Sequence, residues 1–267
     1  MRAPPTALME LSSGVGYGAR IPPGREENMR PVRRIAVALA LGLALVACQR
    51  DDPVIDPGDG GDYTVRPDPA AFVNRIDNPW LPLTPGSRWV YESGGGERNE
   101  VVVTNQTRAV MGITATVVHD VETRDGELVE QTADWFAQDR EGNVWYLGED
   151  TKAFDNGRAS PAGSWEAGVD GALPGIIMKA HPRVGDAYRQ EYYRGEAEDM
   201  GKVVRVGDRE TVPFRSFDGL LVTQDWSPLE PEVVEEKFYA KGVGLVLETT
   251  IRGGSDRNEL VSDQSGK

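Results

Sequence analysis

From Arg88 to Arg252 apolar and polar residues alternate with a period of two, interrupted by short Gly-, Asp- and Asn-bearing turns. That alternation is the mark of antiparallel strands with one dry and one wet face. Residues 88–92 read as a strand stopped by Gly94-Gly95-Gly96. Residues 100–107 and 113–123 are rich in β-branched side chains and meet at Met111-Gly112. Arg124-Asp125-Gly126 is a strong hairpin signal leading into 128–138, and 144–147 follows another turn. Residues 158–185, rich in Gly and Pro, read as the longest loop. The remaining strands are expected at 187–193, 202–208, 210–214, 220–226, 233–239 and 244–252. No stretch carries the 3.6-residue period of a long helix. The expectation is a mainly β fold: an antiparallel meander of about eleven strands, arranged as a curved sheet or half-barrel, or as a sandwich.

Upstream the pattern changes completely. Arg30, Arg33 and Arg34 precede an unbroken apolar run from Ile35 to Ala47, which ends at Cys48, the one cysteine of the chain. The run is thirteen residues, short of the ~20 that span a bilayer, and its charged flank and small terminal residues are those of a secretory signal. Leu45-Val46-Ala47-Cys48 resembles the bacterial lipobox. The resemblance implies cleavage between Ala47 and Cys48 and a mature terminus at Cys48 carrying a diacylglyceryl thioether and further acyl chains such as palmitate. Two or more chains hold a protein on a membrane, which one alone does only marginally. Gln49, rather than Asp, after the cysteine points to the outer membrane in a Gram-negative host. In a host with one membrane the protein would sit on that membrane's outer face.

Residues 1–28 have no periodicity and no targeting logic, whereas Met29 opens a compact charged segment before the apolar run. Translation is therefore expected to begin at Met29, with 1–28 an extension that is not part of the protein and 29–47 the signal peptide. Residues 48–69 read as a tether: after the cysteine they hold six Asp, four Pro and three Gly, too little apolar surface to offset the entropy of ordering. The folded β-domain is expected over 70–252, with a short helical entry at 70–76 and a flexible tail at 253–267.

Charge narrows the partners. The chain carries 29 basic and 43 acidic side chains, a net charge of −14; residues 1–47 hold six Arg and three Glu, so the mature chain would stand at −17. A surface of that sign repels nucleic acid and anionic headgroups, leaving the N-terminal lipid as the contact with the membrane.

Three blocks resemble an uncharacterised family of secreted and lipid-anchored bacterial β-domains. They are Pro82-Leu83-Thr84-Pro85-Gly86-Ser87-Arg88-Trp89-Val90-Tyr91, Thr211-Val212-Pro213-Phe214-Arg215-Ser216-Phe217 (Arg215 standing at the usual glycine) and Phe238-Tyr239-Ala240-Lys241-Gly242-Val243-Gly244-Leu245-Val246. The middle, from Asp134-Trp135-Phe136-Ala137-Gln138-Asp139 to Ser164-Trp165-Glu166-Ala167-Gly168, is similar to the same family. The resemblance implies an extracytoplasmic β-rich fold and brings no activity with it; Gly, Pro and aromatic positions are signatures of fold.

Candidate chemistry is sparse. His119 and His181 are far apart and make no zinc pattern, Gly163-Ser164-Trp165-Glu166 does not fit a nucleophile elbow, and there is no nucleotide-binding loop, so no cofactor or metal is expected. Of the paired acids Glu149-Asp150, Glu198-Asp199 and Glu235-Glu236, neighbours on a strand face opposite ways; only in a loop could Glu149 and Asp150, with Asp155, hold calcium. Trp135, Trp145, Trp165 and Tyr193, with Glu149, are the candidate ligand-binding residues, since aromatic platforms beside acids hold sugars, lipids or peptides. The expected function is non-enzymatic binding of an envelope ligand or protein. The alternatives are a hydrolase of glycans or esters, which needs two carboxylates across a cleft, and a purely structural envelope protein.

Overall fold

The computed structural model describes residues 63–265 other than 156 and 162; the expected extension, signal peptide and lipidation site, Ala47 and Cys48 included, lie outside the described residues. Within them the chain is built of strands: β1 (Phe72–Val73), β2 (Arg88–Glu92), β3 (Glu97–Val110), β4 (Ile113–Arg124), β5 (Glu127–Asp139), β6 (Val144–Asp155), β7 (Arg158–Ser160) and β8 (Trp165–Glu166). Then come β9 (Leu173–Met178), β10 (Ala187–Arg189), β11 (Glu191–Tyr192), β12 (Met200–Thr211), β13 (Ser216–Trp226), β14 (Val234–Ala240), β15 (Gly244–Arg252) and β16 (Arg257–Gln264). Two three-residue 3-10 turns, Pro69–Ala71 and Gly94–Gly96, are the only helical elements among the described residues.

The strands form one antiparallel sheet ordered β10-β12-β13-β14-β15-β16-β2-β3-β4-β5-β6-β9-β11, with β1 added to β5 and β7 and β8 to β6. Most neighbours are consecutive hairpins, as the turn signals predict; Asp125 and Gly126 both take the left-handed conformation of a tight hairpin turn, at φ 52° and 83°. The two ends of the path, β10 and β11, are separated in the chain by the single residue Gln190, so the sheet curls into a nearly closed barrel-like form. Register shifts within the β3–β4, β5–β6 and β12–β13 pairs supply local bends, and bringing the edges together leaves few unpaired backbone groups to seek another chain.

The closing point depends on one glycine. A Cβ on Gly175 of β9 would lie 2.2 Å from both the carbonyl carbon and oxygen of Gln190 and 2.6 Å from the Arg189 oxygen, so no larger residue fits where β9 meets the β10–β11 link. Gln190 is fully buried there; its N–H donates to the Asp199 carbonyl at 2.8 Å and its Nε2 to Asp225 Oδ2 at 2.9 Å.

The mainly β, antiparallel expectation holds, as a single curved sheet rather than a sandwich, and several boundaries move. Residues 158–185 contain β7, β8 and β9 instead of one irregular loop. The segment 187–193 breaks at Gln190, and the expected strand at 202–208 runs on to Thr211 as β12, leaving 212–214 in the turn before β13. The largest correction is at the C-terminus: the expected flexible tail at 253–267 contains β16, which lies between β15 and β2 and closes the sheet in sequence. Its inward residues Asn258 and Leu260 are buried, a gain made only by non-local pairing. The tether at 48–69 also ends early, because Tyr63 already packs against the barrel, and the expected helical entry at 70–76 is a 3-10 turn followed by β1.

Inside, one layer is apolar and tightly filled: Val101, Phe136, Tyr146, Val203, Leu221 and Leu260 are fully buried. Phe136 and Tyr146 stack with ring centroids 4.8 Å apart, and interior packing of this kind leaves few voids larger than a water.

Candidate functional site

Beside the apolar layer lies a layer that hydrophobic patterning does not anticipate: polar and ionisable side chains facing the interior. Register brings them together. On β5, Glu130, Thr132 and Asp134 alternate with outward residues; across β6 they face Ala153, Thr151 and Glu149, and across β4 Thr132 faces Asp120 and Glu130 faces Glu122. Asp120, Thr132, Asp134, Glu149, Thr151 and Glu191 are all buried.

These groups form a chain of hydrogen bonds. The Tyr146 hydroxyl lies 2.6 Å from Asp134 Oδ1 and 3.1 Å from Glu149 Oε2. Thr151 Oγ1 donates to the same Glu149 oxygen at 3.1 Å and is 3.0 Å from Thr132 Oγ1. A phenol has one proton. Two separate two-centre hydrogen bonds at Tyr146 require that one carboxyl be itself protonated and donate to the phenol oxygen. Electrostatics agree: burial pushes the Asp134 carboxyl up to about 7, opposed by the hydrogen bond from Tyr146. Burial, then the neighbouring Asp134 and Glu191, push Glu149 well above the usual carboxylate range. Asp120 is raised by burial and by Asp134, though Asn99 donates to it at 2.6 Å.

Across the interior a second cluster contains the buried cation Lys237, 3.5 Å from Asp225 Oδ2 and 3.8 Å from Glu248 Oε2. Burial alone would lower its pKa, but Glu248, Asp225 and Glu235 outweigh burial and hold it well above the ordinary lysine value. Thr223 Oγ1 and Gln190 Nε2 complete the surroundings of Asp225, donating at 2.7 and 2.9 Å. Nearby lies a shallow polar depression lined by Ser93, Asn99, Glu122, Arg124, Val129 and Asn258 among others.

The sequence-selected residues are distributed over two faces. Glu149 and Trp165 are inside; the Trp165 ring meets Tyr146 edge-on at 5.4 Å. Trp135 is buried on the other face of β5, beneath the Arg108 guanidinium 3.9 Å above its ring, and Arg108 is held by Glu166 at 2.5 Å. Trp145 shares that outer face, its Nε1 donating to Asp139 Oδ2 at 2.8 Å and its ring against Phe72. Tyr193 is half-buried in the turn that pairs it with Ala197. Trp165 and Glu149 are thus brought together, and the other three are not.

The calcium idea fails on geometry: Glu149 and Asp150 lie in regular strand β6, one inward and one outward, not in a loop. Among the described residues no three His, Cys, Asp or Glu side chains converge on a point that could hold a metal. Ser164 is occupied as a bracket, accepting from Thr151 N–H at 2.9 Å and donating to Thr151 O at 3.2 Å, while His181 is exposed elsewhere. Among the described residues no helix is long and apolar enough to cross a membrane.

Sequence reasoning singled out Glu149 but missed Asp120, Asp134, Lys237 and Glu248. A signal was present: Asp120, Thr132, Asp134 and Thr151 stand at positions of period two where an apolar residue is expected.

No family model matches the chain, and no curated protein does. Two solved structures are similar. One, provisionally described as an exported protein with a YmcC-like fold from Bacteroides fragilis, is 12% identical, covering 70% of this chain and 99% of its own at a TM-score of 0.41. The other, provisionally described as a lipoprotein from Parabacteroides distasonis, is 13% identical, covering 69% of this chain and 98% of its own at a TM-score of 0.33.

Proposed function

We propose that the chain is an extracytoplasmic lipoprotein, held by acyl chains on Cys48, that binds a protein partner of the cell envelope through the outside of its barrel and catalyses no reaction. The filled interior is the observation that carries this reading. Inward side chains occupy the space a small ligand would need, and Asp134 and Glu149, both raised in pKa by burial, are 0% and 2% exposed. A hydrolase must bring substrate to its carboxyls; here they contact each other's partner, Tyr146, behind a closed sheet. What remains for recognition is the outer surface, where Val184, Val206 and Ile251 are exposed.

A photo-crosslinking residue placed at Val184, Val206 or Ile251 in cells tests the reading. Discrete adducts in the anchored protein, lost when Cys48→Ala releases it, are expected. Absence of adducts at every position, together with ester or glycoside turnover abolished by Glu149→Gln, would overturn it.

A further inference from the structure

The first residue of the tether to lie among the described residues is fastened at the point where the sheet closes. Tyr63 donates its hydroxyl to the Pro174 carbonyl of β9 at 2.9 Å. Its ring meets Tyr192 of β11 edge-on, with centroids 5.8 Å apart. The Arg189 guanidinium of β10 lies 5.7 Å from the Tyr63 ring and 4.7 Å from that of Tyr192. One side chain from outside the sheet therefore touches all three strands of the seam. Strand β10 is one end of the sheet path, β11 is the other, and β9 is the partner of β11.

Besides Gln190 and its two hydrogen bonds, the seam is held by short strand pairings. The β9–β11 pairing is two residues long and β10 pairs over three, against the long hairpins of β3–β4 and β12–β13. Short pairings open locally at low cost. The aromatic contact, the cation over the rings and the hydrogen bond of Tyr63 each add a modest stabilisation to such a junction.

We propose that residues 63–71 are a strap: Tyr63 latches the seam, and its release both loosens the β9–β10–β11 junction and lengthens the leash to the membrane. With Tyr63 fastened, the leash from Cys48 ends at Tyr63. With it free, the next attachment is Ala71, whose carbonyl accepts from the Arg140 N–H at 2.8 Å, followed by Phe72 of β1, paired with Asp139 of β5. The eight residues from Tyr63 to Ala70 then add roughly 26 Å of reach at ~3.3 Å each. Anything that pulls on the anchored end, or docks on Tyr63 and Tyr192, would be felt at the seam. The meaning of the leash rests on Cys48 being the anchor; the latching of the seam does not.

Hydrogen exchange on the intact mature chain in detergent, read by mass spectrometry, separates the two. In Tyr63→Ala, amides in 64–71, 173–178 and 187–192 should exchange about tenfold faster or more, with those of the β13–β14–β15 hairpins unchanged. Tyr63→Phe, which keeps the ring and loses only the bond to Pro174, should fall between. Equal seam exchange in wild type and both variants would overturn the latch. So would uniform acceleration over the whole sheet, since Tyr63 would then contribute only general stability. Exchange is read without reference to lipid, so its outcome is independent of whether Cys48 is acylated.

Discussion

Asp134 and Glu149 share one hydroxyl: Tyr146 lies 2.6 Å from the first and 3.1 Å from the second, and the phenol has one proton for two carboxyl groups. The ionisation of the pair is therefore tied to the fold. Asp134 is raised from 3.8 to about 7 by burial, so between those values the folded state holds a proton that the unfolded chain has lost. Stability contributed by the neutral carboxyl is full below pH 4 and declines as pH rises to 7, at about 1.4 kcal/mol per unit for one group. Denaturant midpoints measured from pH 5 to pH 8 should fall, and Asp134→Asn, which cannot ionise, should flatten that slope. A midpoint that is independent of pH in the wild type would show that the pair is not held neutral.

Removal of the bridge acts on the same pair. Tyr146→Phe keeps the ring stacked on Phe136 but takes away the hydrogen bond that opposes the rise of Asp134. The expected cost is about 1–3 kcal/mol, the penalty for leaving buried polar groups unsatisfied, and the apparent titration of Asp134 should move further up. Infrared absorbance of the protonated carboxyl against pH reports the second effect independently of the first.

Lys237 is 5% exposed between Asp225 and Glu248. Lys237→Met fills the same space without the charge and leaves two carboxyl groups of the interior facing each other. Breaking a buried ion pair from one side costs about 3–5 kcal/mol, which urea unfolding resolves easily. A change below 1 kcal/mol would mean that the carboxyls have another partner of equal worth.

At the seam the test is steric. Gly175→Ala places a methyl 2.2 Å from the Gln190 carbonyl, and backbone cannot move aside as a flexible side chain would. Overpacking of this kind costs about 1–3 kcal/mol. The loss should appear as fast exchange confined to β9, β10 and β11, with the β3–β4 hairpin intact.

What could be read from the sequence follows physical range. Turn chemistry is local, so Asp125-Gly126 and Met111-Gly112 gave their hairpins correctly. The split at Gln190 and the strand at 257–264 depend on partners far away in the chain, β9 and β12 for the first, β2 and β15 for the second. No local propensity encodes such pairings. The buried acids were missed for a related reason: a charged residue in a period-two pattern reads as wet until the sheet curls and makes its polar face an interior. Glu149 was found, but as half of Glu149-Asp150 rather than as the partner of Asp134, fifteen residues away.

The claim on which the function rests is the address, and one measurement reaches it directly. Cells expressing the chain are fed an alkyne-bearing fatty acid, and the protein is recovered from membrane and soluble fractions. The account predicts a labelled wild-type protein in the membrane fraction, beginning at Cys48, and an unlabelled Cys48→Ala variant no longer held there. Label retained on Cys48→Ala, or an unlabelled wild-type protein starting at another residue, would contradict it.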